Sequence, residues 1–384
     1  MIPSRMQKIL SVVGTRPNFM KVAPIVGELE RRCDEFEHVL VHTGQHYDDV
    51  MSEIFLQELG VGEPDHRLDV GSGSHARQTA TVMERIEPVL VAERPDVVLV
   101  PGDVNSTLAA ALVAVKLGLP VAHVEAGLRS FDRTMPEELN RVLTDAISEI
   151  LFTHSPEARE YLLGEGREES RIHYVGNTMI DTLVAMRERI EVLDAPDRHG
   201  LAAGEYLVVT LHRPALVDGP LLGLAAGALR VVAQEMPVVF PVHPRTRARL
   251  LAEDPTLSET PELTMLEPLG YLEFLALVAG SAGVLTDSGG IQEETTFLGV
   301  PCLTLRANTE RPITQSMGTN MLLGLDPERI RDAPGLLAQV RRRPHAVPPL
   351  WDGCAAQRIV DVLAARAGKE TQASRATSSS SLAI

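Results

Sequence analysis

The chain has 384 residues, 44% of them hydrophobic, 23% charged and only 4% aromatic. At roughly 100–200 residues per domain, this length predicts two or three domains, each burying its own core. With 36 Lys and Arg against 52 Asp and Glu the net charge is −16, which excludes a polynucleotide binder but not a local cationic pocket for a small phosphorylated ligand.

The first apolar run, Ile9–Val13, follows basic residues as in a signal peptide. It is short and ends in Gly14 without a small-residue cleavage pattern, so it reads as a first strand. Val39–Val41, Val97–Val100, Val121–Val124, Ile150–Thr153 and Ile172–Val175 repeat the pattern. Nearly continuous apolar runs of this kind suit strands covered by helices on both faces. Between them, Asp48–Leu59, Thr107–Leu117, Glu137–Ser148 and Pro156–Leu163 read as helices. The second half repeats the scheme with Tyr206–Leu211, Pro237–Val242, Leu263–Leu266, Gly283–Thr286 and Cys302–Leu305. About eleven strands are too many for one eight-stranded barrel, so two doubly wound α/β domains are expected. We place the first at 1–176 and the second at 177–353. A C-terminal helix at 354–368 would pack back on the first domain, and 369–384, rich in Ser, Thr and Ala, reads as a disordered tail. No run is long enough to cross a membrane, the best being broken by Lys116 and Arg230. Cys33, Cys302 and Cys354 are far apart and form no CxxC pair, which fits a reducing cytoplasm.

Polar clusters recur at strand ends: Gly14–Pro17, His42–His46, Gly102-Asp103, Glu125–Arg129, His212–Pro214, His243–Arg245 and Asp287–Gly290. In open parallel sheets, ligands bind beyond the carboxyl ends of the strands, so the two sets are expected to face one another across a cleft. Ser288-Gly289-Gly290 leads from a strand into a helix, where a diphosphate can approach backbone N–H groups and the helix dipole. Glu294, expected in the first helical turn, is placed to accept from ribose hydroxyls. The plainer reading of this segment is a Ser288 cap with Glu293 and Glu294 complementing the dipole. Neither a GxGxxG nor a GxxxxGK[ST] motif occurs.

Arg16 and Lys21 flank the first strand–helix turn, suited to phosphate as a fork and a point charge; a solvated surface position is the commoner fate of a lone lysine. Asp103, Glu125 and Glu137 are a possible acid–base set, since carboxylates sharing a site raise one another's proton affinity. Capping competes with that role for Asp103 and Glu137, less so for Glu125 at the end of an apolar strand. His212 and His243 also end strands and suit phosphate binding or proton transfer. No spacing supports zinc, and no metal is expected.

The blocks GTRP (14–17), HTGQHYD (42–48), GD (102–103), HVEAGLRS (123–130), MPEELNR (135–141), TLHRP (210–214), VHPRTR (242–247), TDSGGIQEE (286–294) and TERP (309–312) resemble the non-hydrolysing UDP-N-acetylglucosamine 2-epimerases. The likeness runs in order from about Lys8 to about Ala365. It implies a glycosyltransferase-B-like pair of Rossmann-like domains. It also implies interconversion of UDP-GlcNAc and UDP-ManNAc through elimination of UDP to a 2-acetamidoglucal, with no cofactor. By the same resemblance, Asp103, Glu125, Glu137 and His212 match catalytic groups. Arg16, Lys21, His243, Ser288, Gly289 and Gly290 match diphosphate contacts, Glu294 the ribose-binding glutamate, Phe274 the uracil-stacking position, and Arg311 lies in the TERP block of the substrate site. Gln45, His46, Glu138 and Arg213 match part of an allosteric UDP-GlcNAc site, but Asp48 and the loop Gly71–Gln78 depart from that pattern. Ala215-Leu216 replaces the Glu-Asn that often follows the HRP block, which keeps a modified sugar such as a UDP-diacetamido-uronic acid in view. A hydrolysing relative and a glycosyltransferase are further alternatives. A homodimer is implied by the resemblance, as are no membrane and no nucleic-acid partner.

Overall fold

The computed structural model describes residues 6–44 and 58–380, with residue 16 and residues 369–380 described in backbone alone. The helix expected over Asp48–Leu59 falls almost wholly outside that range, as do Gln45 and His46. The chain divides into two compact units: Met1–Thr182 with Pro349–Ile384, and Leu183–Pro348.

In the first unit, β1 (Gln7–Val13), β2 (Phe36–His42), β3 (His66–Arg67), β4 (Val97–Pro101), β5 (Val121–Val124), β6 (Ile150–Thr153) and β7 (Ile172–Tyr174) form one sheet. Its order is β3-β2-β1-β4-β5-β6-β7, every pairing parallel. The helices between strands are α1 (Arg16–Arg31), α2 (His75–Glu93), α3 (Asn105–Lys116), α4 (Pro136–Ile147) and α5 (Pro156–Gly164). Ile9 and Leu10 on β1, and Val97, Val98, Leu99 and Val100 on β4, are all 0% exposed. Residues of both strand faces are excluded from water, hence runs without the alternation of a half-exposed sheet.

The second unit repeats the design. Among the described residues β8 (Leu207–Thr210), β9 (Val238–Pro241), β10 (Leu263–Leu266), β11 (Gly283–Thr286), β12 (Cys302–Thr304) and β13 (Asn320–Leu322) pair as β10-β9-β8-β11-β12-β13, again all parallel. The second sheet thus has the 3-2-1-4-5-6 strand order of Rossmann-like domains and the first has the same order extended by β7, with a switch point between β1 and β4 and another between β8 and β11. The expected α/β class and two Rossmann-like domains are what the structure has.

Two details differ from expectation. β3 and β13 were not foreseen, because strands of two and three polar-containing residues leave no periodic signal. The final helix, α12, runs Ala355–Ser380, past residue 368, where its end is expected. Lys369, Glu370 and Ala373 just beyond that point are good helix formers, which outweighs the Ser/Thr content that predicts a disordered tail. The carboxylate of Asp181, on α6 (Thr178–Val192), accepts from the first amides of α12, Ala355 N at 3.1 Å and Ala356 N at 2.7 Å. Trp351, 1% exposed, donates its indole N–H to the His154 carbonyl at 2.8 Å. Gly176, at φ +95°, lets the Leu350 carbonyl approach to 2.0 Å of where a Cβ would sit, so no other residue fits there. Among the described residues, no helix is long and apolar enough to cross a membrane.

Candidate functional site

At the first switch point the chain leaves β1 through Gly14-Thr15 and β4 through Gly102-Asp103. Asn18 closes the first turn: its Oδ1 accepts from Gly14 N, Thr15 N and Thr15 Oγ1, each at 3.1 Å, and its Nδ2 donates to Pro101 O at 3.1 Å. One turn further along α1, Lys21 is 6% exposed and pairs with Glu125, itself 8% exposed. The solvated position that is usual for a lone lysine is therefore not what this one has. Glu125 holds a left-handed φ of 71°, unusual for a residue with a Cβ, and it follows directly on β5. Gly102, at φ +66°, faces the same group. A Cβ there would lie 3.0 Å from Lys21 Nζ and 3.6 Å from Glu125 Oε2, so the turn is pressed against the ion pair.

Asp103, about a quarter exposed, pairs through Oδ2 with Arg141 of α4. Arg141 also donates to Glu138 Oε2 at 2.8 Å. The Glu138 carboxylate accepts three more hydrogen bonds at 2.9 Å, from Ser130 N, Ser130 Oγ and Phe131 N. Its oxygens are thus committed to its own loop. Glu137 lies half-buried in the first turn of α4, after Pro136. Asn140 donates to the Asp103 carbonyl at 2.9 Å, which fixes the backbone beside that carboxylate. The side chain of Arg16 is outside the described set.

In the second unit the long helices are α7 (Leu221–Val232), α8 (Pro244–Glu253), α9 (Tyr271–Ala279), α10 (Gly289–Leu298) and α11 (Ala333–Arg341). At the second switch point, Asp287 directly follows β11 and His212 lies just past β8. Asp287 Oδ2 accepts from His212 N at 2.9 Å and Arg213 N at 2.7 Å, while Oδ1 lies 2.9 Å from His212 Nδ1. Burial alone would raise the Asp287 carboxyl, but His212 and the two amides hold it below the usual range. Arg213 Nε donates to the Asp287 carbonyl at 2.9 Å.

Ser288 is the N-cap residue of α10, yet its side chain makes no capping hydrogen bond. Gly289 and Gly290 then open the helix. A Cβ on Gly289 would lie 2.5 Å from Arg311 Nη1 and 2.8 Å from Glu310 Oε1, so the start of the helix is pressed against the tips of a buried charge pair. Arg311 pairs with Glu310 and, through Nε at 2.9 Å, with Glu293. Glu294 lies in the second turn of α10 rather than the first. It is 2% exposed and accepts from the Tyr271 phenol at 2.9 Å. Burial, helped by neighbouring Glu293 and opposed by Tyr271, pushes its carboxyl up to about 8. Phe274 is half-buried on α9. His243 is exposed and caps α8, its Nδ1 accepting from Arg245 N at 3.3 Å.

The structure thus gathers Lys21 with Glu125, Asp103 with Glu138, His212 with Arg213, and Gly289 with Arg311. Sequence reasoning missed Asn18, Arg141, Tyr271 and the Asp287 carboxylate. Asp287 stood inside a quoted motif, and Tyr271 three residues before Phe274 on a helical face, but neither role has a signal without the pairings.

Residues 28–364 match the family described as UDP-N-acetylglucosamine 2-epimerase. The UDP-N-acetylglucosamine 2-epimerase of Methanocaldococcus jannaschii is 42% identical over 364 residues, covering 93% of this chain and 98% of the relative. A Pseudomonas aeruginosa protein named UDP-2,3-diacetamido-2,3-dideoxy-D-glucuronate 2-epimerase is also 42% identical, over 322 residues, 83% of this chain and 88% of that one. The crystal structure of the M. jannaschii UDP-GlcNAc 2-epimerase in complex with UDP-GlcNAc and UDP has a TM-score of 0.84 and 41% identity, covering 93% of this chain and 99% of that chain. The chain belongs to the UDP-N-acetylglucosamine 2-epimerase family.

Proposed function

We propose that the protein interconverts UDP-GlcNAc and UDP-ManNAc without hydrolysis. A base takes the proton from C2 of the sugar as the C1–oxygen bond to UDP breaks, leaving a C1=C2 double bond. UDP then re-forms the bond to C1 while an acid returns a proton to the opposite face of C2. Such a reaction needs paired carboxyl groups and strong stabilisation of departing UDP. The observation that carries the reading is Glu125: a carboxylate held in a left-handed turn, buried against Lys21 beside the Gly102-Asp103 turn.

In this proposal the first unit supplies the groups that act on the sugar: Asp103, Glu125 and Glu137. The second supplies His212 and the nucleotide contacts, namely the α10 amides at Ser288–Gly290, Glu294 for the ribose, Phe274 for the base, and His243 and Arg311. Arg16 and Lys21 join the diphosphate contacts. Occupation of the Glu138 oxygens by Ser130, Phe131 and Arg141 argues against an allosteric ligand there. The protein is proposed to work without a cofactor, in the cytoplasm, as a homodimer. Unpaired Cys33, Cys302 and Cys354 support that location. Exposed Leu139 and Leu143, one turn apart on α4, support self-association.

A second substrate, UDP-2,3-diacetamido-2,3-dideoxy-D-glucuronate, has one observation in its favour, the 42% identity to the relative of that name. The wider coverage shared with the M. jannaschii protein favours the plain sugar. Chromatography of products from both substrates separates the readings. UDP-ManNAc from UDP-GlcNAc supports the proposal; free ManNAc with UDP would make the enzyme hydrolytic, and turnover of the uronate alone would reassign the substrate.

A further inference from the structure

His123 and Asp145 are both 0% exposed, in the first unit. His123 lies in β5, two residues before Glu125, and its ring is engaged on both sides. Nδ1 lies 2.7 Å from Asp145 Oδ1, and Nε2 lies 2.7 Å from the carbonyl oxygen of Gly102. A carbonyl can only accept, and an ionised carboxylate can only accept. The ring nitrogen facing Gly102 must therefore carry a proton, and the ring bridges that carbonyl to Asp145.

The other Asp145 oxygen accepts from Gly127 N at 3.0 Å and from Arg129 Nη1 at 2.7 Å. Arg129 is anchored in turn by Glu165, which accepts from Nε at 2.7 Å and Nη2 at 2.6 Å. Burial opposes ionisation of Asp145, yet His123 and Arg129 facing it hold its carboxyl below the usual range.

Gly102 immediately precedes Asp103, and Gly127 follows Glu125 by two residues. One continuous chain of hydrogen bonds, Gly102 O to His123 to Asp145 to Gly127 N, thus ties the two turns that carry these carboxylates. We propose that His123 and Asp145 are positioning residues that fix the separation of Asp103 and Glu125. Neither side chain touches substrate in this account; they act through the backbone of two left-handed turns, Gly102 at φ +66° and Glu125 at φ 71°. The proposal rests on the reading above, in which Asp103 and Glu125 act on the sugar. A misplacement of about 1 Å at such groups costs on the order of 10²-fold in rate, so a clamp of this kind is felt in turnover before binding.

The test separates the two ring contacts. A glutamine amide nitrogen stands near the place of Nε2 and an asparagine amide nitrogen near that of Nδ1. For H123Q, H123N and D145N, kcat and KM for UDP-GlcNAc, Kd for UDP and the melting temperature are measured beside the unsubstituted protein. H123N and D145N are expected to lower kcat by about 10²-fold while KM and the UDP Kd stay within about 3-fold. H123Q, which keeps the Gly102 contact but gives up Asp145, breaks the same chain and is expected to lower kcat by about 10²-fold as well, with KM and the UDP Kd again within about 3-fold. H123N with unchanged kcat would overturn the proposal, as would a fall of kcat, UDP affinity and melting temperature in step for Gln and Asn alike. Should the variants not fold, amide exchange of Gly127 in the unsubstituted protein decides: protection like that of β5 supports the clamp, and exchange like that of exposed turns overturns it. No turnover by the unsubstituted protein would instead overturn the functional reading, and the catalytic role of the clamp with it.

Discussion

Asp287 Oδ1 lies 2.9 Å from His212 Nδ1, while the other oxygen of the same carboxylate accepts the His212 backbone amide at 2.9 Å. One buried acid thus holds both the main chain and the ring of the histidine. With Nδ1 held at this distance from Asp287, Nε2 is the ring nitrogen left for another partner on a side chain that is about half exposed. A histidine oriented by a carboxylate in this way is prepared to move a proton or meet a phosphate.

Asp287→Asn tests that orientation. Its oxygen would stay with the two backbone amides and its NH2 would face Nδ1, forcing the opposite tautomer. We expect kcat to fall by about 10²-fold or more, as wrong-tautomer variants of oriented histidines do, with UDP affinity changed far less. Equal losses in kcat and UDP affinity would contradict a role in proton transfer.

Glu125→Gln and Asp103→Asn should each lower turnover by about 10²-fold or more while UDP still binds. The first also strands the Lys21 ammonium, and breaking a buried pair from one side destabilises by about 3–5 kcal/mol. Thermal melting beside kinetics separates the two effects. Near-normal turnover in a folded Glu125→Gln protein would remove the residue from the chemistry.

Glu294 sets a pH dependence whose sign follows from its environment. Its carboxyl is raised from 4.5 to about 8, so the folded chain keeps a proton that the unfolded chain releases. The resulting stabilisation is fully present below 4.5 and is lost as pH rises through about 8. Glu294→Gln cannot lose that proton. Its melting temperature should track the unsubstituted protein near about pH 5 and exceed it by several degrees near about pH 9. Parallel melting curves across that window would show that Glu294 is not held neutral.

Asp181 caps the C-terminal helix through Ala355 N and Ala356 N. Asp181→Ala leaves two buried amides without their acceptor and should destabilise by about 1–3 kcal/mol. Urea unfolding measures this, and a change below about 0.5 kcal/mol would mean that the helix docks by apolar contact alone.

Much of this architecture was legible in the amino-acid order. The apolar runs that became β1, β4, β5 and β11 announced strands buried on both faces, and the polar clusters after β1, β4 and β11 fell at the switch points. β3 escaped because a two-residue strand is made by its pairing with Val41 and His42, not by any pattern of its own. Lys21 is expected as a phosphate contact or a solvated lysine, and its buried pairing escapes because its partner Glu125 is 104 positions away. His123 was counted as one more residue of an apolar strand. Its meaning depends on Asp145, 22 positions on, and on a carbonyl of another strand's turn. Local propensity reaches neighbours on one helix or strand; pairings made by sheet order lie beyond it. Glu294 shows the smaller error of a turn: the helix begins at Gly289, so the glutamate points into the buried second turn.

The central claim is that the C2–H bond of the sugar breaks and re-forms on the enzyme. Incubation with UDP-GlcNAc in D2O, followed by mass and proton spectra of the separated nucleotide sugars, tests it most directly. The account predicts UDP-ManNAc carrying deuterium at C2, accompanied over time by UDP-GlcNAc labelled at the same carbon. Recovery of unlabelled UDP-GlcNAc alone would contradict it.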